Sequence, residues 1–547
     1  MEFNYRYLGN TAVESGASRT SMSFAPDTRR EPTYFSGALR KHVAFREAIS
    51  ALHDVVISDL KWKPKDKTAY KAWAAQREQL DWTEVAAQRG QVKGQIDALT
   101  KELTDLRSTR ARRWAPFYQA RRRYFDYLWH RDRDAWFVLD PVITVHPDEL
   151  FFECFSIDES SYGRLGASYE VFQDIGDFAC GTTNIDYSSS LYDEFQKIRS
   201  YKETRFEVDP TGFEVQTQGE DDYREVKIDL PDTWVRGFLQ VSSAMTLPAI
   251  SFDLHPMDVH NVCFVLRRHR EILGPRGMRY LLEPGRPVRI LLEPWGFEIS
   301  CPRSLYQGNE AHEIRVWGRR RLHILERLIP VARRFTVHLL GKGLPSFYVA
   351  DLGDLSFTLG LSGWTANDWS QQGNFDLMAA RGVVDDFSKR RVFESLKQGW
   401  FGTPDQLAQD TGLDRGVVSS ALAAYTQAGR VMFDLDKQVY RVRELSRDPL
   451  PMDKLRFAND REQRASEWVD AGAVKITSAT DDGRGNLHIH GSVREKGRSF
   501  EPELRVDRDE RLVQASCTCN FYQQNRLRMG PCEHMLAVRV AHRRSVQ

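Results

Sequence analysis

Cys517-Thr518-Cys519 is followed twelve residues later by Cys532-Glu533-His534. No other feature constrains the chain so tightly. Two pairs, each spaced i and i+2, supply three thiolates and one imidazole, a complete tetrahedral donor set for zinc. Alternate residues on an extended strand point the same way but lie too far apart to bridge, so the C-x-C pair suits a chelate rather than a disulfide. Gly530-Pro531 makes a sharp entry to the second pair. Met535, Leu536, Val538 and Ala541 then continue as an apolar-periodic helix, whose N-terminal dipole favours thiolate charge. Four protein ligands leave no position for water or substrate, so the expected ion is one structural Zn²⁺.

The remaining cysteines, Cys154, Cys180, Cys263 and Cys301, read as buried small apolar residues. Seven cysteines over 547 residues, with no basic segment and apolar run at Met1–Tyr7, argue against a disulfide framework and a secretory signal. No stretch approaches the length of a membrane helix. The expected setting is cytoplasmic, with no membrane contact.

The length predicts several domains in a multidomain α+β chain. Residues 1–36 form an unassigned N-terminal segment. Residues 37–134 read as a helical coiled-coil hairpin: Val85, Val92, Ile96, Leu99, Leu103 and Leu106 follow a/d spacing. Residues 135–383 read as an α+β domain with an internal duplication. Arg205–Val215 aligns with Arg289–Ile299 at five of eleven positions, each a strand, a Pro-x-Gly turn and a strand after a helix. Residues 384–446 give three helices and a hairpin, the winged helix-turn-helix order. Thr403-Pro404-Asp405-Gln406 is a capping box and Asp414 a further cap. Arg447–Pro451 is a linker, and 452–547 is the cysteine-bearing module.

The net charge is +1, which excludes a uniformly basic nucleic-acid coat. It conceals opposed blocks. Residues 107–133 hold nine Arg against two Asp, interleaved with aromatics, while 146–195 hold eleven acids and one Arg. The two blocks are expected to pair.

The 452–547 module resembles a SWIM-type zinc finger through Cys517, Cys519, Cys532 and His534. The longer chain resembles bacterial SWIM zinc-finger family proteins at Leu230–Phe238 and Leu361–Trp364. The resemblance implies zinc binding, DNA or protein contacts, and partners among MoxR-type AAA ATPases and von Willebrand A-type (vWA) proteins in multi-component systems.

Other signals weigh less. Asp186-Tyr187-Ser188-Ser189-Ser190 matches the D-x-S-x-S pattern of von Willebrand A metal sites, but it lacks a buried apolar strand before it. A helix cap at Asp186 fits better. His255, Asp258 and His260 could hold a metal, though Asp258 also reads as a cap. No Walker A loop, G-x-S-x-G elbow or strand-led G-x-G-x-x-G occurs, so neither catalytic residues nor a small-molecule substrate is expected.

Two function classes stay open. One is an interaction scaffold that docks partner proteins. The other is a DNA-binding protein using Arg415, Arg430 and Lys437 of the winged helix with Arg526, Arg528, Arg543 and Arg544 of the finger.

Overall fold

The computed structural model describes residues 12–15, 19–24, 33–58, 141–184, 195–208 (without 197 and 202), 232–269, 277–363 (without 342), 368–369, 374–379, 384–445, 460–482, 486–507 and 511–546. Residues 1–59 with 139–547 make one compact unit and 60–138 a second. The second unit lies outside the described residues. So do the Val85–Leu106 seam, the 107–133 segment, the D-x-S-x-S motif and the 447–451 linker. The chain is a mixed α+β protein of several, mostly antiparallel sheets. Among the described residues no helix is long and apolar enough to cross a membrane.

The core is an eight-stranded antiparallel sheet. Its order is Ile250–Leu254, Arg334–Leu339, Ser346–Asp351, Leu355–Leu361, Ser161–Ser168, Glu149–Phe155, Val142–Val145, Gly181–Asn184. Every residue of Glu149–Phe155 and of Leu355–Leu361 is buried. Such strands lose the polar alternation of a one-sided sheet because both faces are covered. One face takes the His42–Val56 helix, where Phe45 meets Phe152 and Cys154 lies under Leu52. The other takes the Asp232–Met245 helix, where Phe238 packs 4.7 Å from Phe155.

A four-stranded sheet, Phe297–Leu305, Pro287–Leu292, Met278–Leu282 and His312–Val316, flanks the core. It contains the second of the two similar segments as an antiparallel hairpin, with Gly296 at φ +69° in the turn. The first segment, described only as far as Val208, sits differently. Its strand Glu203–Val208 runs parallel to Arg19–Phe24 and antiparallel to Phe35–Leu39 in a separate sheet. The described strand of the first segment, Arg205–Val208, therefore does not share the setting of its counterpart Arg289–Leu292. That separate sheet also absorbs part of 1–36, the segment without a sequence assignment.

Residues 384–445 give helices Asp386–Gly399, Pro404–Thr411 and Arg415–Gln427, then the hairpin Val431–Asp434 with Val439–Val442. Their ends follow local chemistry. Asp385 accepts from the Ser388 amide, Thr403 and Gln406 form the reciprocal capping box, and Asp414 accepts from the Gly416 amide. The left-handed residue closing the first helix is Trp400, one place beyond Gly399.

Three acids of the 146–195 block, Asp148, Glu149 and Glu153, find partners here. Arg164, Arg441, Asp434 and Glu149 are all at most 2% exposed. Arg441 Nε donates to Asp434 at 2.7 Å, and its Nη1 to Asp148 at 2.8 Å. Arg164 pairs with Glu149 and Asp434. Lys437 Nζ reaches Asp148 at 3.1 Å and Glu149 at 3.0 Å. Acids read as facing the 107–133 arginines are thus neutralised, for Asp148, Glu149 and Glu153, by Arg164 and the 431–443 hairpin.

Candidate metal centre

The C-terminal module begins with the Asp460–Asp470 helix. A sheet follows, ordered Val474–Asp481, Leu487–Glu495, Glu503–Val506, Leu512–Ser516. Leu512–Ser516 delivers Cys517 directly off its end. Cys519 then caps the short Asn520–Asn525 helix, its Sγ accepting from the Tyr522 amide at 3.4 Å. Gln523 ties the same turn down by donating from Nε2 to Cys517 O. The second pair enters through Gly530, at φ +77°. A Cβ there would stand 2.6 Å from Asn374 O, so the position requires glycine. The Glu533–Val546 helix starts beside Cys532, as the sequence anticipates.

Cys517, Cys519, Cys532 and His534 are between 2% and 5% exposed, and their ligand atoms all lie within 4.8 Å of one another. Zn–S bonds of about 2.3 Å and a Zn–N bond of about 2.0 Å put tetrahedral ligand atoms about 3.5–3.8 Å apart. Small shifts close the four onto one ion. The electrostatics agree. Hydrogen bonds from Cys517 and then Cys532 hold the Cys519 thiol far below its ordinary range, while Cys517 and then Cys519 push the Cys532 thiol up. Burial pulls the His534 imidazole down, but Cys517 and Cys519 together raise it to about 9. A pocket that accepts one thiolate and resists the next is short of positive charge, which a dication supplies. Both ring nitrogens of His534 are buried without a well-formed hydrogen bond, which also suits a ligand. The cluster is compatible with one Zn²⁺, held by all four side chains.

Residues outside the motif fix the geometry. Arg461 Nη1 donates to Met529 O and Pro531 O, both at 2.9 Å, and pins the approach to Cys532. Arg464 pairs with Glu533 at 2.8 Å. Trp468 stacks on the His534 ring at 5.1 Å, and Phe500 lies against it at 4.2 Å. Glu495 Oε2 stands 3.4 Å from His534 Nε2, in reach of an imidazole that ligates through Nδ1. Arg461, Arg464, Ala465 and Trp468 share one helix face, and that spacing was the available sequence signal.

The module does not stand apart from the rest of its unit. Arg539, 5% exposed, donates to Leu377 O and Ala379 O. Arg511 donates to Thr246 O.

Five of the seven basic residues read as DNA contacts have named local partners. Arg415 pairs with Asp405, Lys437 with Asp148 and Glu149, and Arg544 with Asp470. Arg526 lies over the Tyr522 ring, and Arg528 donates to Asn525 O and Gln524 O. Arg430 and Arg543 are half-buried. In the Arg415–Gln427 helix every residue is buried or half-buried.

His255, Asp258 and His260 do not gather as a metal site. His255 caps the Pro256–Arg268 helix with Nδ1, the role read for Asp258. Pro256 at the first helical position places the cap one residue earlier. Asp258 is instead buried, accepting from the Arg303 amide and Ser304 Oγ. Cys154, Cys263 and Cys301 are buried as expected, whereas Cys180 is half-buried.

Residues 501–538 match the family model described as SWIM zinc finger. The matched stretch contains all four ligands. No curated protein matches the chain. Among solved structures, Proliferating Cellular Nuclear Antigen from Entamoeba histolytica aligns with a TM-score of 0.33 and 7% identity. The alignment covers 60% of this chain and 98% of that one. A likeness that slight carries no argument about fold or function.

Proposed function

We propose that this chain is a zinc-stabilised, non-enzymatic interaction protein. Its partners would be the proteins that the family resemblance implies, a MoxR-type AAA ATPase or a von Willebrand A-type protein. One observation carries the reading against DNA binding by the 384–446 unit. If that unit is a winged helix, its third helix would have to enter a major groove. The Arg415–Gln427 helix instead has no fully exposed residue and packs against Asp232–Met245. Lys437, at the tip of the wing, is paired with Asp148 and Glu149. A closed Cys₃His set adds stability without an open coordination position.

A second reading, duplex DNA binding by the finger, rests on the SWIM match and on Arg526, Arg528, Arg543 and Arg544. One experiment separates the two. Full-length protein is run at micromolar concentration on a sizing column with a purified MoxR-type ATPase. A parallel series titrates it into labelled mixed-sequence duplex between 50 and 200 mM salt. The scaffold reading expects co-elution and a flat salt response. A log–log salt slope of several units without co-elution overturns it in favour of DNA.

A further inference from the structure

A second group of metal-ligating side chains lies far from the finger in sequence. The Pro256–Arg268 helix buries Val259, Val262, Cys263 and Leu266 and packs on the 3-10 helix Arg319–Leu328. Residues three apart eclipse one another in a 3-10 helix. His323 and Glu326 therefore rise on the same side, with His323 Nδ1 3.1 Å from Glu326 Oε1. Cys263 faces them from the other helix, and its Sγ donates to Leu322 O at 3.5 Å. One ligand atom from each of the three residues falls within 4.8 Å of the other two.

We propose that Cys263, His323 and Glu326 form a second metal site that takes a divalent cation of the zinc class with one coordination position open. A thiolate, an imidazole and a carboxylate favour Zn²⁺ or Co²⁺ over Mg²⁺ or Ca²⁺. Three protein ligands leave a fourth place, and the half-buried His323 and Glu326 set it toward solvent. This differs from the closed set in the finger.

The supporting helix is fixed along its length. Arg321 donates to Asp158 at 2.9 Å with both side chains buried. Arg319 donates to Gly277 O and Glu293 O. Arg327 Nε donates to Asp54 at 2.9 Å. The backbone that carries His323 and Glu326 is thus held in place before an ion arrives. Two interactions compete with the metal. Arg267 pairs with Glu326 Oε2, but its side chain is 63% exposed and can swing into water. Burial pushes the Cys263 thiol up to about 12, so the entering ion displaces a proton.

The proposal stands independently of the function argued above. Its test uses the full chain, purified without chelators, dialysed against about 10 μM Zn²⁺ and counted for bound metal. Wild type is expected to hold two equivalents. Cys263→Ser is expected to hold one and to keep the zinc at Cys517, Cys519, Cys532 and His534. Cys532→Ser is expected to keep the other. Should Cys263→Ser lose its circular-dichroism signal, His323→Gln, at a half-buried position, is expected to show the same loss of one equivalent. Co²⁺ absorption in the wild type should then contain a component that His323→Gln removes and Cys532→Ser does not. One equivalent in the wild type, or two in a folded Cys263→Ser or His323→Gln variant, overturns the proposal.

Discussion

Arg443 Nη1 lies 2.9 and 3.1 Å from the two carboxylate oxygens of Glu153, and neither side chain is more than 1% exposed. The pair joins the edge of the 431–443 hairpin to the core sheet. Tyr162 OH also donates to Glu153, at 2.7 Å. Removing one partner leaves the other charge buried without compensation, which costs about 3–5 kcal/mol. Glu153→Gln is therefore expected to lower the urea midpoint markedly. Replacing both residues with methionine should restore most of the loss, because the desolvation of two charges goes with them. A double variant no better than the single one would show that the pair is not the cause.

His146 makes the same contact sensitive to acid. Its Nε2 lies 2.6 Å from Val442 O, and its Nδ1 3.3 Å from Arg441 Nη1. The network assigns the neutral tautomer with the proton on Nε2. Burial, then the Arg441 charge, hold the imidazole down at about 4, against the pull of Val442 O, Asp148 and Glu149. The unfolded chain protonates first as pH falls, near 6.5. Stability from this group is complete above pH 6.5 and is lost as pH falls through about 4, by roughly 3 kcal/mol. Unfolding followed from pH 7 to 4 should show that slope, and His146→Gln should flatten it. An unchanged slope would assign the acid sensitivity to other groups.

What the sequence disclosed follows the range of each interaction. Thr403 with Gln406, Asp414 with Gly416, and the four cysteine and histidine ligands all act within a few turns of chain, so their residue types announce them. The core strands were harder. Glu149–Phe155 is covered on both faces and shows no alternation. The ionic contacts were not legible, because Arg443 and Glu153 lie 290 residues apart. By residue type alone Lys437 reads as a DNA contact, with Arg441 and Arg443 close beside it in the chain. In the fold all three face acids. The distance between Cys263 and His323 hid the second donor set in the same way, since no local spacing joins them.

Cys532→Ser removes a thiolate from a site that has no spare ligand. Structural zinc sites of this kind supply much of the folding free energy of small modules. The variant is expected to lose the zinc of the finger and to open 460–546 to proteases. The 384–445 unit, held by its own core and by the Glu153 and Glu149 contacts, should stay protected. Chelator treatment of the wild type should give the same cleavage map. Protection of 460–546 in the metal-stripped protein would show that docking through Arg539 and Arg511 suffices without zinc.

Arg461 tests whether the shell around the ligands matters apart from the ligands. Its guanidinium lies 5.0 Å above the Phe521 ring and bonds Met529 O and Pro531 O, just before Cys532. Arg461→Ala leaves all four ligands in place but frees the turn that aims one of them. Outer-shell losses of this kind cost about 10–100-fold in metal affinity. Competition with a chromogenic chelator should show that drop, with the same amount of zinc bound at saturation. Arg461→Lys should recover little, since an ammonium lacks the planar guanidinium that lies over the Phe521 ring while its Nη1 donates to both carbonyls. Equal affinities in wild type and Arg461→Ala would mean that the Cys532 turn is fixed by Gly530 and Pro531 alone.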